Sequence, residues 1–228
     1  MKQLIFTITV LFSFKILAQS QLSGYCGPKD NDGNYGTNCE WVYDDDSKTL
    51  TISGEGKMYD TSRTFDYSFS SISGIKNVII EEGITNLGSH TFYGMRNLEN
   101  IAMPDTLTSI GWNAFTGGTQ LTSIIIPNSV TYMGGSDQYS VFGQTVTSVY
   151  CSEAQKNMCR QALEWSGLDV AQVLKTYQKY GDEYYYGGRF YQSENDIGTT
   201  NYIKKRIYTI DEANRVSGNK NTFKIKYK

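Results

Sequence analysis

"IKNVIIEEGITNLGSHTFYGMRNLENIAMPDTLTSIGWNAFTGG", residues 75–118, states one pattern twice. With Ile75 set over Leu98 the halves align without a gap. Val78 meets Ile101, Ile80 meets Met103, Ile84 meets Leu107, Leu87 meets Ile110, Gly88 meets Gly111, Phe92 meets Phe115 and Gly94 meets Gly117. The period is 23 residues. A fixed period of this size marks a repeat architecture, in which one unit cannot bury its apolar side chains alone and stacked neighbours share a column.

The next step lands on "LTSIIIPNSVTYMGGSDQYSVFGQ", where Leu121, Ile124, Ile126, Val130, Met133 and Gly134 fall in phase. Phe142 then arrives four residues late, so this turn carries a short insertion, and "VTSVYCS" (146–152) reads as the strand of a fourth, truncated turn. Within one repeat, Ile101 and Met103 alternate with polar or small residues, the period of a strand. Pro104 or Pro127 ends that strand, having no N–H for a ladder. Leu107 and Ile110 return inward, Gly111 suits a tight corner with positive φ, and Phe115 closes the return leg.

Residues 98–117 follow the pattern L-x-x-I-x-I-P-x-x-V/L-T-x-I-G-x-x-A-F-x-G almost letter for letter. They resemble the BspA-like, Treponema-type leucine-rich repeat. Trp41, Asp44 and "LTISGEGKMYD" resemble the segment that commonly precedes such arrays. The resemblance implies a right-handed solenoid, and with the residues on either side of the repeats the expected fold is β-rich (α+β): a short solenoid with an N-terminal β cap, a C-terminal capping helix and a small β-rich tail module. It implies a secreted or surface-attached protein used for adhesion and protein binding, and it does not imply an enzyme. The expected divisions are 1–20, a signal segment; 21–74, the cap with a hairpin at "WVYDDDSKTLTIS"; 75–151, the repeats; 152–180, a capping helix and linker; and 181–228, a Tyr-rich, basic module.

"MKQLIFTITVLFSFKILAQSQ" has a lysine at position 2, an apolar run and small residues near Ala18 and Ser20, the layout of a cleaved secretory signal. Tyr25 before Cys26 does not suit lipid attachment, where a small residue is needed. No other run could span a bilayer and no C-terminal anchor is visible, so the expected location is secreted, cell-surface or periplasmic. Four cysteines in such a chain suggest two disulfides, with three connectivities open. Cys26–Cys39 and Cys151–Cys159 are the expected pairs, each close in sequence and at one end of the array. The chain lacks a C-x-x-C pair and has one histidine, which argues against zinc.

Residues 199–228 carry eight Lys/Arg against Asp211 and Glu212, on an otherwise acidic chain. Such a tail can attract anionic surfaces, or be a lysine-studded strand edge that blocks edge pairing. "SEAQKNMCRQALEWSG" (152–167) reads as a helix, with a Ser152/Gln155 capping box and Gly167 as its stop. Met158, Cys159, Ala162 and Trp165 share one face. "DVAQVLKTYQKY" reads as a shorter helix or an irregular stretch, "GDEYYYGGRFYQ" as a hairpin about Gly187-Gly188, and the remainder as strand, short helix and strand. Tyr184, Tyr185, Tyr186 and Tyr191 could stack on sugars, or pack as half-buried strand residues.

Any Ser/Cys–His–Asp site must use His90, the single histidine. It occupies the place of Asn113, an exposed corner of the repeat, and reads as structural. Asp30 and Asp32 before Gly33 are a fragment of a calcium loop whose other ligand positions fall on Pro28 and Cys39, so the reading is a turn. Asp44, Asp45 and Asp46 likewise read as a turn. No cofactor, metal or nucleic-acid motif is present. A binding site, if there is one, belongs on the exposed strand face: Asn77 and Ile79, Asn100 and Ala102, Ser123 and Ile125, Ser148 and Tyr150. These point opposite the core residues of the same strands. The expected partner is an extracellular protein or surface ligand, and the expected state is a monomer.

Overall fold

A repeat buries its apolar column only if its strands lie beside those of the next repeat, and strand pairing in the computed structural model does this. The structure describes residues 22–60, 69–180, 183–186, 189–191 and 197. The signal-like segment and the basic stretch 198–228 lie outside the described residues, as do the strand, helix and strand expected there.

The chain is β-rich with few helices. Its strands begin with β1 (Leu22–Lys29), β2 (Tyr35–Asp44), β3 (Thr49–Gly54) and β4 (Gly56–Lys57). The repeats supply β5 (Asn77–Ile80), β6 (Ile84–Leu87), β7 (Asn100–Ala102), β8 (Ser109–Ile110), β9 (Ser123–Ile125) and β10 (Tyr132–Met133). There follow β11 (Ser148–Ser152), helices α1 (Lys156–Trp165) and α2 (Val170–Val173), then β12 (Leu174–Tyr180), β13 (Glu183–Tyr186) and β14 (Arg189–Tyr191).

Each 23-residue unit gives a front strand and a short back strand. The front strands pair in parallel at the sequence period: Asn77 with Asn100, Val78 with Ile101, Ile79 with Ala102. The back strands do the same, Asn86 with Ser109 and Leu87 with Ile110, then Ser109 with Tyr132. Between the two layers runs one apolar column containing Val78, Leu87, Leu107, Ile110, Ile124 and Val149, all buried. Phe92, Phe115 and Phe142 form the return leg, with rings stacked at 5.9 and 6.3 Å. The four-residue delay before Phe142 is taken up by a loop closed by the Ser136–Tyr139 bridge. The core therefore does not register the insertion.

The array is longer at both ends than the sequence pattern suggests. Hairpin β2–β3 forms as expected, Tyr43 opposite Leu50 and Asp44 opposite Thr49. Its second strand is itself a front rung, because β3 pairs in parallel with β5 (Leu50 with Val78), and β4 is the matching back rung beside β6. Phe69, one period before Phe92, stacks on it at 6.0 Å. At the other end, "LKTYQKY" is not helical or irregular. It is strand β12, parallel to β11 with Val149 opposite Leu174. The Tyr-rich stretch does not break away from the array as a separate module over its described part: β13 and β14 add antiparallel strands to β12, with Tyr186 opposite Arg189 across a two-residue gap in sequence. Alternating β-branched and aromatic residues favour strand once a neighbouring edge is open to pair with.

Helix α1 follows a single 3-10 turn at Glu153–Gln155. The Gln155 side chain accepts from the Ser152 N–H and donates to the carbonyls of Pro127 and Val130, so it fastens the helix start to the third repeat. Cys159, Ala162 and Leu163 face the core. Gly167 stops the helix at φ +65°, in the left-handed conformation that a side chain resists. Ser166 Oγ takes the N–H groups of Val141 and Phe142, which holds the delayed Phe142 against the helix end.

The cysteines differ between the ends. Cys26 and Cys39 are bridged, joining β1 to β2. The second expected bridge is not made in this structure: Cys151 on β11 and Cys159 on α1 are two buried free thiols of one core cluster. The contact with Cys151, and then burial, push the Cys159 thiol far above its ordinary pKa. Little thiolate is present to begin an exchange.

Candidate functional site

Alternation along the front strands decides which side chains are available. Val78, Ile124 and Val149 point into the column, so their neighbours point away. Asn77 and Ile79 on β5, Asn100 and Ala102 on β7, Ser123 and Ile125 on β9, and Ser148 and Tyr150 on β11 occupy this outer face, all exposed or half-buried. Ile79 is 44% exposed, an apolar side chain left in water by its register.

Pairing brings these residues into rows. Asn77 lies beside Asn100, and the Asn100 amide donates to Asn77 Oδ1 at 3.0 Å. Ile79 lies beside Ala102, Ser123 beside Ser148 and Ile125 beside Tyr150. Three more residues belong here. Thr49 pairs with Asn77, Thr51 with Ile79 and Lys175 with Tyr150, on rungs outside the recognised period. The alternation of "TLTISG" was a usable signal for Thr51, since Leu50 and Ile52 are apolar. Lys175 carried no such signal.

The face is not one continuous sheet. At three steps, two successive amides converge on one carbonyl: Lys76 and Asn77 on Lys48, Glu99 and Asn100 on Lys76, Thr147 and Ser148 on Thr122. The corresponding bonds from Thr122 and Ser123 to Glu99 are not made, and β7 is not laddered to β9. The front layer is therefore two sheets abutting between the second and third repeats, while the back strands and phenylalanines run through. We expect the amides of Thr122 and Ser123 to exchange with deuterium faster than those of Thr147 and Ser148. The margin is at least about ten-fold, as for a locally opened segment against a laddered one. Equal protection of the two pairs would show that the rung is closed in solution.

Charge is sparse. The Lys76–Glu99 pair at 2.7 Å borders the face, with both side chains about half exposed. Such a pair contributes no more than about 1 kcal/mol. The acidic clusters are engaged in turns. Asp30 Oδ1 accepts from the N–H groups of Asp32 and Asn34, which lowers its pKa. Asp44 accepts from Asp46 N–H, and Asp45 pairs with Lys48 at 2.7 Å. Among the described residues no group of three or more His, Cys, Asp or Glu could hold a metal.

His90 is not the exposed corner the sequence suggests. Its ring is edge-on to Tyr93 at 5.3 Å and to Trp112 at 4.3 Å, and burial lowers its pKa against a smaller opposing pull from Asp60. His90 and Asn113 repeat one backbone conformation, φ +58° and +54°. Asn113 is likewise more than an outward residue. Its Oδ1 accepts from Thr116 and Ser140, and its amide meets His90 Nε2 at 3.2 Å. A cleft of about 260 Å³ lies between residues 70–75 and 94–97, with Arg96 among its lining residues.

Several known proteins are similar to this chain. The family model of the BspA type leucine-rich repeat region matches residues 61–187, in six copies, more than half of the chain. No curated protein matches. Among solved structures, a leucine-rich repeat protein from Eubacterium ventriosum aligns over 75% of this chain and 48% of its own, at 18% identity and a TM-score of 0.46. This chain thus spans about half of that protein. The leucine-rich repeat protein of T. pallidum aligns over 55% of this chain and 72% of its own, at 15% identity and a TM-score of 0.29. A leucine-rich cell surface protein from Faecalibacterium prausnitzii aligns over 50% and 44%, at 17% identity and a TM-score of 0.23. No helix among the described residues is long and apolar enough to cross a membrane. With its 23-residue period, parallel rungs and a match running from 61 to 187, the chain belongs to the BspA-type leucine-rich repeat family.

Proposed function

We propose that this protein is a non-catalytic binding module, secreted or held at a cell surface, that docks an extracellular protein on its outer strand face. In this reading the rungs wind as a right-handed solenoid. The β1–β2 hairpin and helix α1 cap its ends, where open apolar surface needs cover. Leucine-rich repeats are generally protein-interaction modules, and the family match supports that class. The observation that carries the reading is the outer face itself. Asn100, Ala102, Ser123 and Ile125 present small, weakly polar groups at its centre, with no charged side chain among them. Small residues allow a partner backbone to approach closely, and central positions are where water is excluded and hot spots gather.

The test is to capture a partner from the native extracellular milieu with the full chain, then measure its affinity for Ala102→Arg and Ser123→Glu. Both substitutions add bulk and charge outside the column, so stability should hold within about 0.5 kcal/mol. Affinity should fall at least about ten-fold, or about 1.4 kcal/mol. Normal binding by both variants, with loss of binding on removal of 198–228, would transfer the function to the basic tail. The protein would then be an envelope component attached through that tail. Truncation after 197 is the right cut, because Ile197 is buried and β13 and β14 belong to the sheet.

A further inference from the structure

One reactive pair is left over by the binding reading. Cys151 is the inward residue near the end of β11, and Cys159 is on the core face of α1, eight positions later in the sequence. Both are completely buried, both belong to the core cluster, and the elements that carry them, α1 and β11, pack against each other. The same chain already holds one disulfide, Cys26–Cys39, so the oxidising route that closed it was open to the chain while it folded. Metal binding does not account for the pair, because no third ligand joins it among the described residues.

We propose that Cys151 and Cys159 form a disulfide-forming modification site that oxidants reach only while α1 is undocked, so that the bridge closes before or as the helix settles on β11. The oxidant is a disulfide, R–S–S–R, either a small thiol's or that of a protein thiol oxidant. One cysteine thiolate attacks a sulfur of this disulfide, making a mixed disulfide and releasing the first RS⁻. The second thiolate attacks the cysteine sulfur of the mixed disulfide and expels the second RS⁻. The two cysteine sulfurs lose two electrons and two protons and gain one S–S bond. The oxidant's S–S bond is broken, and both its sulfurs leave as thiols. In the closed structure neither sulfur is accessible, so this sequence cannot start there. The raised pKa of Cys159, which keeps its proton on, has the same effect.

The experiment uses the full chain, isolated from an oxidising compartment without reductant. After alkylation in denaturant, peptide mapping is expected to find residues 151 and 159 linked. Recovery of both cysteines as alkylated thiols overturns the bridge. The linked protein is then exposed to dithiothreitol with and without urea, and newly freed thiols are alkylated and mapped. Reduction of the 151–159 link is expected to be at least about ten-fold slower without urea, because the helix must open first. Equal rates in the two conditions overturn the gating. No refolding from the reduced chain is needed, so neither outcome depends on whether the reduced protein folds.

Discussion

Phe115→Ala is expected to lower the melting temperature by roughly 10 °C. The ring is 3% exposed and lies between Phe92 at 5.9 Å and Phe142 at 6.3 Å, with interplanar angles of 18° and 7°. Truncating such a residue removes its transfer free energy and leaves a hole that its neighbours cannot fill, about 3–5 kcal/mol together. For a protein of this size each kcal/mol moves the midpoint by about 2–4 °C. The hole opens onto three repeats at once, so the loss is not confined to one turn. Gln120→Ala, exposed on the same return leg, serves as the control and should stay within about 0.5 kcal/mol of the parent. Asn113→Ala would be a poor control, since that residue has φ +54° and its side chain bonds to three neighbours. Equal melting temperatures for Phe115→Ala and Gln120→Ala would remove the phenylalanine column as the organising element.

The second large effect comes from adding one carbon. A methyl group at Gly111 would lie 2.4 Å from the backbone nitrogen of Ser89 and 2.7 Å from the carbonyl carbon of Gly88. At Gly88 it would lie 2.0 Å from the Tyr59 carbonyl oxygen, and at Gly134 2.7 Å from the Trp112 nitrogen. These glycines form a seam where backbone packs on backbone from one turn to the next. The sequence pattern suggests a corner of positive φ at Gly111. The positive angles are instead at Gly94 and Gly117, and Gly111 is glycine for lack of room. Gly111→Ala forces the turns apart, with an expected cost of about 3 kcal/mol or more. Gly33→Ala, at φ +84° with nothing within 4 Å, pays only for its backbone angle, about 1 kcal/mol. Similar losses for the two, measured by urea denaturation, would mean that the seam relaxes freely.

The period was legible because it repeats, and repetition separates signal from accident. Phe92 over Phe115, Leu87 over Ile110 and Val78 over Ile101 each appear at 23 residues, and the ladders join them at that spacing. The outer face could be read for the same reason, since alternation on a strand assigns both sides once one is known. What escaped were the rungs whose spacing drifts. Leu50 pairs with Val78, 28 residues away, and Val149 with Leu174, 25 away, so a fixed ruler passes over both. Phe69 was visible at one period before Phe92, but its surroundings lack the rest of the motif. His90 and Asn113 failed differently. Their phase placed them at a corner, and nothing in one sequence shows that a corner from one turn packs on that of the next.

The dimensions of the outer face limit the strength of any complex made on it alone. Among the described residues its front strands are β3, β5, β7, β9, β11 and β12. At about 4.8 Å between neighbours they span about 24 Å, and three residues along a strand add about 10 Å. The resulting patch is a few hundred Å², while a stable complex needs about 800 Å² from each partner. A single copy engaging through this patch would therefore exchange quickly. Tight retention would have to come from several copies displayed together, where each contact raises the local concentration for the next.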